Sequence, residues 1–346
     1  MRRSLYLIIY IVVWASVWTA CTDDCADVTS GNEAYISLGA SVVGLETVTR
    51  ADGDNETTEE PPLPLYKGTP SAGNPFEADV CFSETEGEFL HTPTGITNLP
   101  CHTQITFEGA LEYAMNPENG SNLKYTTGEN SPSVYCVGFY PQNVWTVAED
   151  GKTATAPIDG KTDLMFAPPI EGSWNNPLRT QTYNHLLTWL KVCVCSTSQE
   201  AADTWGKLKS ISIQSADGLS VNLGTGAVTY TKSANASPFV VVENQLLHTT
   251  MQEVGKGVLC SPAKEYTLII ETTNARTRTI TIPIKWIDEE DVTDEDVTSG
   301  KVAGRLFILS LYFNEYAVVE GVCTLNAWNN QDEDLYLQEE QEETEE

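Results

Sequence analysis

The residues that could do chemistry in this chain are thinly spread. The four histidines, His91, His102, His185 and His248, stand far apart, and none has a second ligand-type residue at metal-binding spacing. No HExxH, GxSxG or phosphate-binding glycine loop occurs. The stretch Gly224-Thr225-Gly226 lies between two strand-like runs with no helix after it, so it reads as a turn. Carboxylates number 49, too many for any pair to single out an acid/base couple. No enzyme, metal or cofactor is therefore expected.

The nine cysteines carry more information. Cys21 follows Met1-Arg2-Arg3, the apolar run Leu5–Trp18 and then Thr19-Ala20. A positive end, a short apolar stretch and small residues before a cut are the layout of a secretory signal peptide over 1–20. The run is shorter than the roughly 20 residues of a spanning helix; a single-pass anchor is the alternative. Small residues directly before a cysteine resemble the lipobox of bacterial lipoproteins, with Trp18 standing where Leu is usual. Thr22-Asp23-Asp24 looks like the acidic export tag of lipoproteins displayed on the outer surface in the Bacteroides group. Lipidated on Cys21, with 21–33 as a spacer, the chain would be held at the outer membrane, since each buried methylene contributes ~0.8 kcal/mol.

The other cysteines are Cys25, Cys81, Cys101, Cys136, Cys193, Cys195, Cys260 and Cys323. An even number in an exported chain would suggest disulfides. Yet Cys136, Cys193, Cys195 and Cys323 occupy apolar strand positions, where cysteine acts as a small hydrophobe. Cys193 and Cys195 share one face of a strand, which suits packing side by side into a core. Buried thiols are the expectation; one or two disulfides are the alternative.

What must position these residues is a chain of strands. The 346 residues leave room for about two domains, and 41% hydrophobic content allows a sizeable core. The formal charge of −30, from 19 basic and 49 acidic residues, repels phosphate backbones and excludes nucleic acid as a partner. Acid is concentrated in Asp52–Glu60, Asp288–Asp296 and the tail 331–346, which read as solvated linkers or ends. Alternating or β-branched runs occur at Ala34–Val48, Ser133–Tyr140, Leu208–Gln214, Ser220–Leu223, Tyr266–Glu271 and Thr277–Ile287. Leu306–Phe313 and Tyr316–Leu325 flank Asn314-Glu315 as a hairpin, and Asn274-Ala275 marks another. Only Phe107–Met115 and Gln181–Leu190 look helical. The pattern predicts an all-β fold of sandwiches, divided at Ala167–Pro177 into 34–170 and 178–330. Trp189, Trp286 and Trp328 are expected in cores. Trp145, Trp174 and Trp205 lie in loop-like sequence, and Trp174 and Trp205 are candidate glycan contacts.

One order of parts bears on function: a lipid anchor, a spacer, an apolar strand, then an arginine opening a polar linker. The strand ends at Thr49-Arg50, and Ala51 begins the linker 51–62. Arg50 is the only arginine between the signal peptide and Arg179. Unfolded polar linkers are where proteases cut, so a trypsin-like cut between Arg50 and Ala51 would free the body from its lipid and from 34–50. If that strand, with Ile36, Leu38, Val42 and Leu45, fills a place in the first sandwich, its loss leaves an apolar slot that a neighbour's strand can fill.

The lipobox, Thr49-Arg50-Ala51, Val137-Gly138-Phe139-Tyr140-Pro141, Thr162-Asp163-Leu164-Met165-Phe166-Ala167, Asn184-His185-Leu186-Leu187 and the ending Gly304–Trp328 together resemble the fimbrillins of Bacteroidales, the subunits of type V pili. The resemblance implies two transthyretin-like Greek-key sandwich domains. It also implies transport as an outer-membrane lipoprotein, cleavage after Arg50 by an arginine-specific protease, and assembly with other fimbrial subunits by strand exchange. One departure is the acidic chain beyond Trp328, which has only Leu335-Tyr336-Leu337 to bury. The donor is then the Tyr316–Trp328 strand, or the chain is a tip, accessory or anchor subunit. A stand-alone glycan-binding surface lipoprotein is the alternative function.

Overall fold

Period-2 alternation of apolar and polar residues makes strands of most of this chain, because each strand must bury one face. A computed structural model describes residues 36, 38–42, 75–89, 101–107, 123–286, 290–316 and 319–326. The first strands are β1 (Gly39–Val42), β2 (Phe76–Ser83), β3 (Cys101–Phe107), β4 (Val134–Tyr140), β5 (Thr146–Val147) and β6 (Thr153–Pro157). Then come β7 (Met165–Gly172), β8 (Thr180–His185), β9 (Thr188–Ser196), the helix α1 (Gln199–Trp205), β10 (Leu208–Ile213), β11 (Gly218–Asn222) and β12 (Val228–Thr231). The last are β13 (Phe239–Gln245), β14 (Gln252–Cys260), β15 (Glu265–Thr272), β16 (Thr277–Pro283), the short helix α2 (Asp294–Thr298), β17 (Leu306–Phe313) and β18 (Val319–Asn326).

The strands form four sheets, ordered β1-β8-β7-β4-β2-β3, β12-β11-β6-β5, β13-β10-β15-β16 and β14-β9-β17-β18. The first two face each other across a core that includes Cys81, Val137, Phe139, Phe166, Ala154, Leu219 and Val221. The other two enclose a second core, with Val192, Val194, Leu309 and Phe313 on one side and Ile211, Ile213, Leu268 and Ile282 on the other. Trp189, Leu259 and Leu306, from the fourth sheet, reach into the first core. The chain is all-β, as its alternation predicts.

Sheet membership does not follow chain order. The hairpin β11–β12 pairs with β6, Leu219 opposite Ala156 and Val221 opposite Ala154. Residues from within 178–330 therefore complete a sheet begun before residue 157. The stretch Ala167–Pro177, read from the sequence as the boundary between domains, forms most of β7 and a tight turn closed between Ser173 and Asn176. Ala167, at its start, is buried in the sheet. Gln181–Leu190, expected as helical, is instead the end of β8, the crossing at Leu186 and Leu187, and the start of β9. Thr180 and Thr182 are β-branched, and Gln181, Tyr183 and His185 alternate with them to bury one face. Of Phe107–Met115, Phe107 ends β3 and the rest lies outside the described residues, as do Trp328 and the tail. The turn expected at Gly224–Gly226 closes β11–β12, with Asn222 N donating to Ala227 O at 2.9 Å.

Candidate functional site

The six-stranded sheet buries both faces. Opposite the first core, β2 presents Phe76, Ala78, Val80 and Phe82, and β3 presents Ile105 and Phe107; these are at most 2% exposed. On this side Phe76 stacks on Tyr140 at 4.4 Å and meets Tyr183 edge-on at 4.8 Å.

Beside this face lies the first strand. Ile36, Leu38 and Ala40 are 1%, 1% and 2% exposed, while Val42 is half-buried. Ile36 N donates to Leu123 O at 2.9 Å and Gly39 N to Arg179 O at 3.3 Å. From there Gly39–Val42 runs parallel to Thr180–Tyr183, one residue opposite another. On its other edge β8 meets β7 only at Asn184 and His185. Pro168 and Pro169 of β7 have no N–H to donate, so the two strands part beyond Phe166. Among the described residues, β1 is thus the ladder partner of Thr180–Tyr183. Burying Ile36 and Leu38 contributes about 1.5–3 kcal/mol each.

The floor of this seat is polar in part. Gln181, wholly buried and opposite Ala40, donates from Nε2 to the Cys136 sulfur at 3.3 Å and accepts from the Tyr183 hydroxyl at 3.3 Å. The hydroxyl contact is at the long end for a buried O–H donor. Burial, with Cys136 and Asp79 adding repulsion, pushes the Tyr183 phenol well above its ordinary pKa and keeps it neutral. The Tyr183 ring enters because position 138 on β4 is glycine: a Cβ there would lie 2.3 Å from its hydroxyl and 2.7 Å from Cζ. Nearby, the Tyr125 hydroxyl accepts from Leu178 N at 2.7 Å, and burial raises that phenol to about 12.

At the end of β8 a buried Asp–His contact marks the crossing to the second core. His185 Nδ1 lies 2.8 Å from Asp163 Oδ2, with side chains 4% and 0% exposed. Leu186 N donates to Leu164 O at 2.9 Å, and Gly304 N donates to Leu187 O at 2.8 Å. Gly304 sits where a Cβ would be 3.3 Å from that of His185. Burial, then the charges of Asp163 and Glu77, lifts the Tyr140 phenol to about 12. Four sequence pieces far apart in the chain, around Tyr140, Asp163, His185 and Gly304, therefore converge here.

Other candidates are placed as follows. Cys21, Leu45, Arg50 and Ala51 lie outside the described residues. Trp205 has no free face for a sugar: it is wholly buried at the end of α1, packed edge-on against Phe313 at 5.2 Å, its Nε1 donating to Asn314 O at 2.8 Å. Trp145 is likewise buried, against Phe139. Trp174 is 41% exposed at the Ser173–Asn176 turn. The seven described cysteines are free thiols. Cys193 and Cys195 do share a strand face, but Val192 and Val194 take the core side of β9, so the pair lies on the other. Branched apolar side chains fill that interior and leave the thiols outside it. Among the described residues no group of three or more His, Cys, Asp or Glu is placed to hold a metal. Gln181 and Tyr183 were concealed by the helical reading of their segment; the alternation from Thr180 to His185 is the signal that exposes them.

No family model and no curated protein matches the sequence. Among solved structures, a candidate cell adhesion protein from Bacteroides uniformis is 16% identical over 85% of this chain and 98% of its own, with a TM-score of 0.48. A second, from Bacteroides ovatus, is 14% identical over 84% and 96%, with a TM-score of 0.49. A fimbrial anchor protein from Porphyromonas gingivalis is 10% identical over 86% and 98%, with a TM-score of 0.43.

Proposed function

We propose that this chain is a structural and adhesive, non-enzymatic subunit of a fimbria, built on two transthyretin-like Greek-key sandwiches. It reaches the cell surface as an outer-membrane lipoprotein acylated on Cys21. An arginine-specific protease then cuts between Arg50 and Ala51, and other fimbrial subunits are its partners in strand exchange.

The observation that carries this reading is the seat of β1. Ile36, Leu38 and Ala40 are buried, yet the strand is held by a four-residue ladder at a sheet edge. A cut at Arg50 separates it covalently from the body. Its departure leaves Thr180–Tyr183 without a ladder partner and the apolar seat open. A strand from another subunit restores both the ladder and the burial, which is the driving force for assembly.

Full-length protein incubated with an arginine-specific protease is expected to form SDS-resistant oligomers only after the cut, while Arg50→Ala stays monomeric. Oligomers from Arg50→Ala, or none after a verified cut at Arg50, would refute the scheme. The exposure of Trp174 favours a second reading, a stand-alone glycan-binding surface lipoprotein. In that case polysaccharide binding is lost in Trp174→Ala and no oligomers follow the cut.

A further inference from the structure

The strand seated beside β8 shows what that seat accepts. Ile36 and Leu38 are large and buried, and two places further on Ala40 is just as buried but carries only a methyl group. Ala40 stands directly opposite Gln181 in the parallel ladder, so the two side chains lie on the same face. The next pair, Ser41 and Thr182, faces the other way, with hydroxyl oxygens 3.2 Å apart on the exposed side. The change from large to small therefore falls where the buried neighbour on β8 is an amide.

That amide is pinned. Gln181 Nε2 donates to the Cys136 sulfur and Oε1 accepts from the Tyr183 hydroxyl, both at 3.3 Å. The same Oε1 is 2.8 Å from where a Cβ at position 138 would stand, so the amide rests against β4 in space left by a glycine. Turning it out of these contacts would strand a buried polar group. Interiors are close-packed, so a side chain larger than alanine opposite Gln181 must displace either the amide or its own strand.

We propose, resting on the strand-exchange reading above, that Gln181 is the specificity-determining residue of the β1 seat. It admits a strand from another subunit only where the residue opposite it is alanine or glycine, with large apolar residues two and four places earlier. The large residues supply the burial that holds the incoming strand, and the small one fixes its register. A slip of two places in either direction would bring Leu38 or Val42 opposite Gln181, so the floor permits one alignment of β1.

The test is capture of labelled peptides of residues 34–50 by the full chain after a verified cut at Arg50. The parent peptide should exchange into the seat, and the Ala40→Gly peptide should follow it closely. The Ala40→Leu peptide should be captured about fivefold or more weakly. In a Gln181→Ala chain, where the floor is opened, the difference between the Ala40→Leu and parent peptides should shrink or reverse. Equal capture of the two peptides by the parent chain, or an undiminished difference in Gln181→Ala, overturns the size rule and leaves strand exchange standing. No capture of any peptide and no oligomers after the cut overturn strand exchange itself. The uncut chain supplies a measurement that does not depend on exchange. There Ala40→Leu should lower Tm by several degrees, and by less in the Gln181→Ala background; an unchanged Tm overturns the rule.

Discussion

Gly138→Ala tests whether the floor of the β1 seat is as tightly specified as the geometry indicates. The added Cβ would lie 2.3 Å from the Tyr183 hydroxyl, 2.7 Å from Cζ and 2.8 Å from Gln181 Oε1. A carbon–oxygen contact relaxes near 3.5 Å, so the ring must move by about 1 Å. It is wholly buried, with Phe76 at 4.8 Å and Phe107 at 6.4 Å on one side, so the motion strains the floor under Ala40. Overpacking of this kind costs about 1–3 kcal/mol, and each kcal/mol lowers Tm by about 2–4 °C in a domain of ~150–250 residues. Calorimetry of Gly138→Ala should therefore show Tm lower by several degrees. Tyr183→Leu, which destabilises alone by removing a buried ring, should cost less in the Gly138→Ala background. The coupling energy in a double-mutant cycle is expected at about 0.5–3 kcal/mol. An unchanged Tm for Gly138→Ala, or strictly additive single effects, would refute the packing argument.

Leu38→Ala, read by urea denaturation, should destabilise the protein by about 2–5 kcal/mol, since the side chain is 1% exposed. Asp163→Ala removes the buried carboxylate 2.8 Å from His185 Nδ1, so it should cost about 1–3 kcal/mol by urea denaturation; unchanged stability would refute a structural role for the contact. Burial lifts the thiols of Cys101, Cys260 and Cys323 to about 12, and Cys193 to about 11. At about pH 8 these four should resist a thiol reagent until denaturant is added, with half-buried Cys193 reacting first. The Tyr125 and Tyr140 phenols, held neutral to about 12 by burial, ionise near 10 once unfolded. The folded state therefore binds more protons in this window, and stability should fall as pH rises from 10 towards 12. Tyrosinate absorbance should appear for these two only with unfolding.

Much of the architecture was legible because strand burial has a two-residue period. The alternation of Ile36, Leu38 and Ala40, or of Leu208–Ile213, states which side chains point inward before any partner is known. The helical reading of Gln181–Leu190 failed for a local reason. Leu186, Leu187 and Leu190 have helical spacing, but they straddle the crossing from β8 to β9 and enter different cores. Likewise Pro168 and Pro169 suggested a domain boundary, yet they lie within β7, since proline is tolerated where a strand has lost its neighbour.

By itself, the sequence determined the all-β character and the burial of the alternate residues Ile36, Leu38 and Ala40 in the early strand. Those follow from composition and short-range alternation. Only the tertiary structure decided that the β11–β12 hairpin completes a sheet with β5 and β6, that Trp205 is buried beneath two arginines, and that Gly138 and Gln181 form the floor under β1. Each is a pairing between residues tens of positions apart, chosen by packing and register across the whole fold, and no local pattern encodes it.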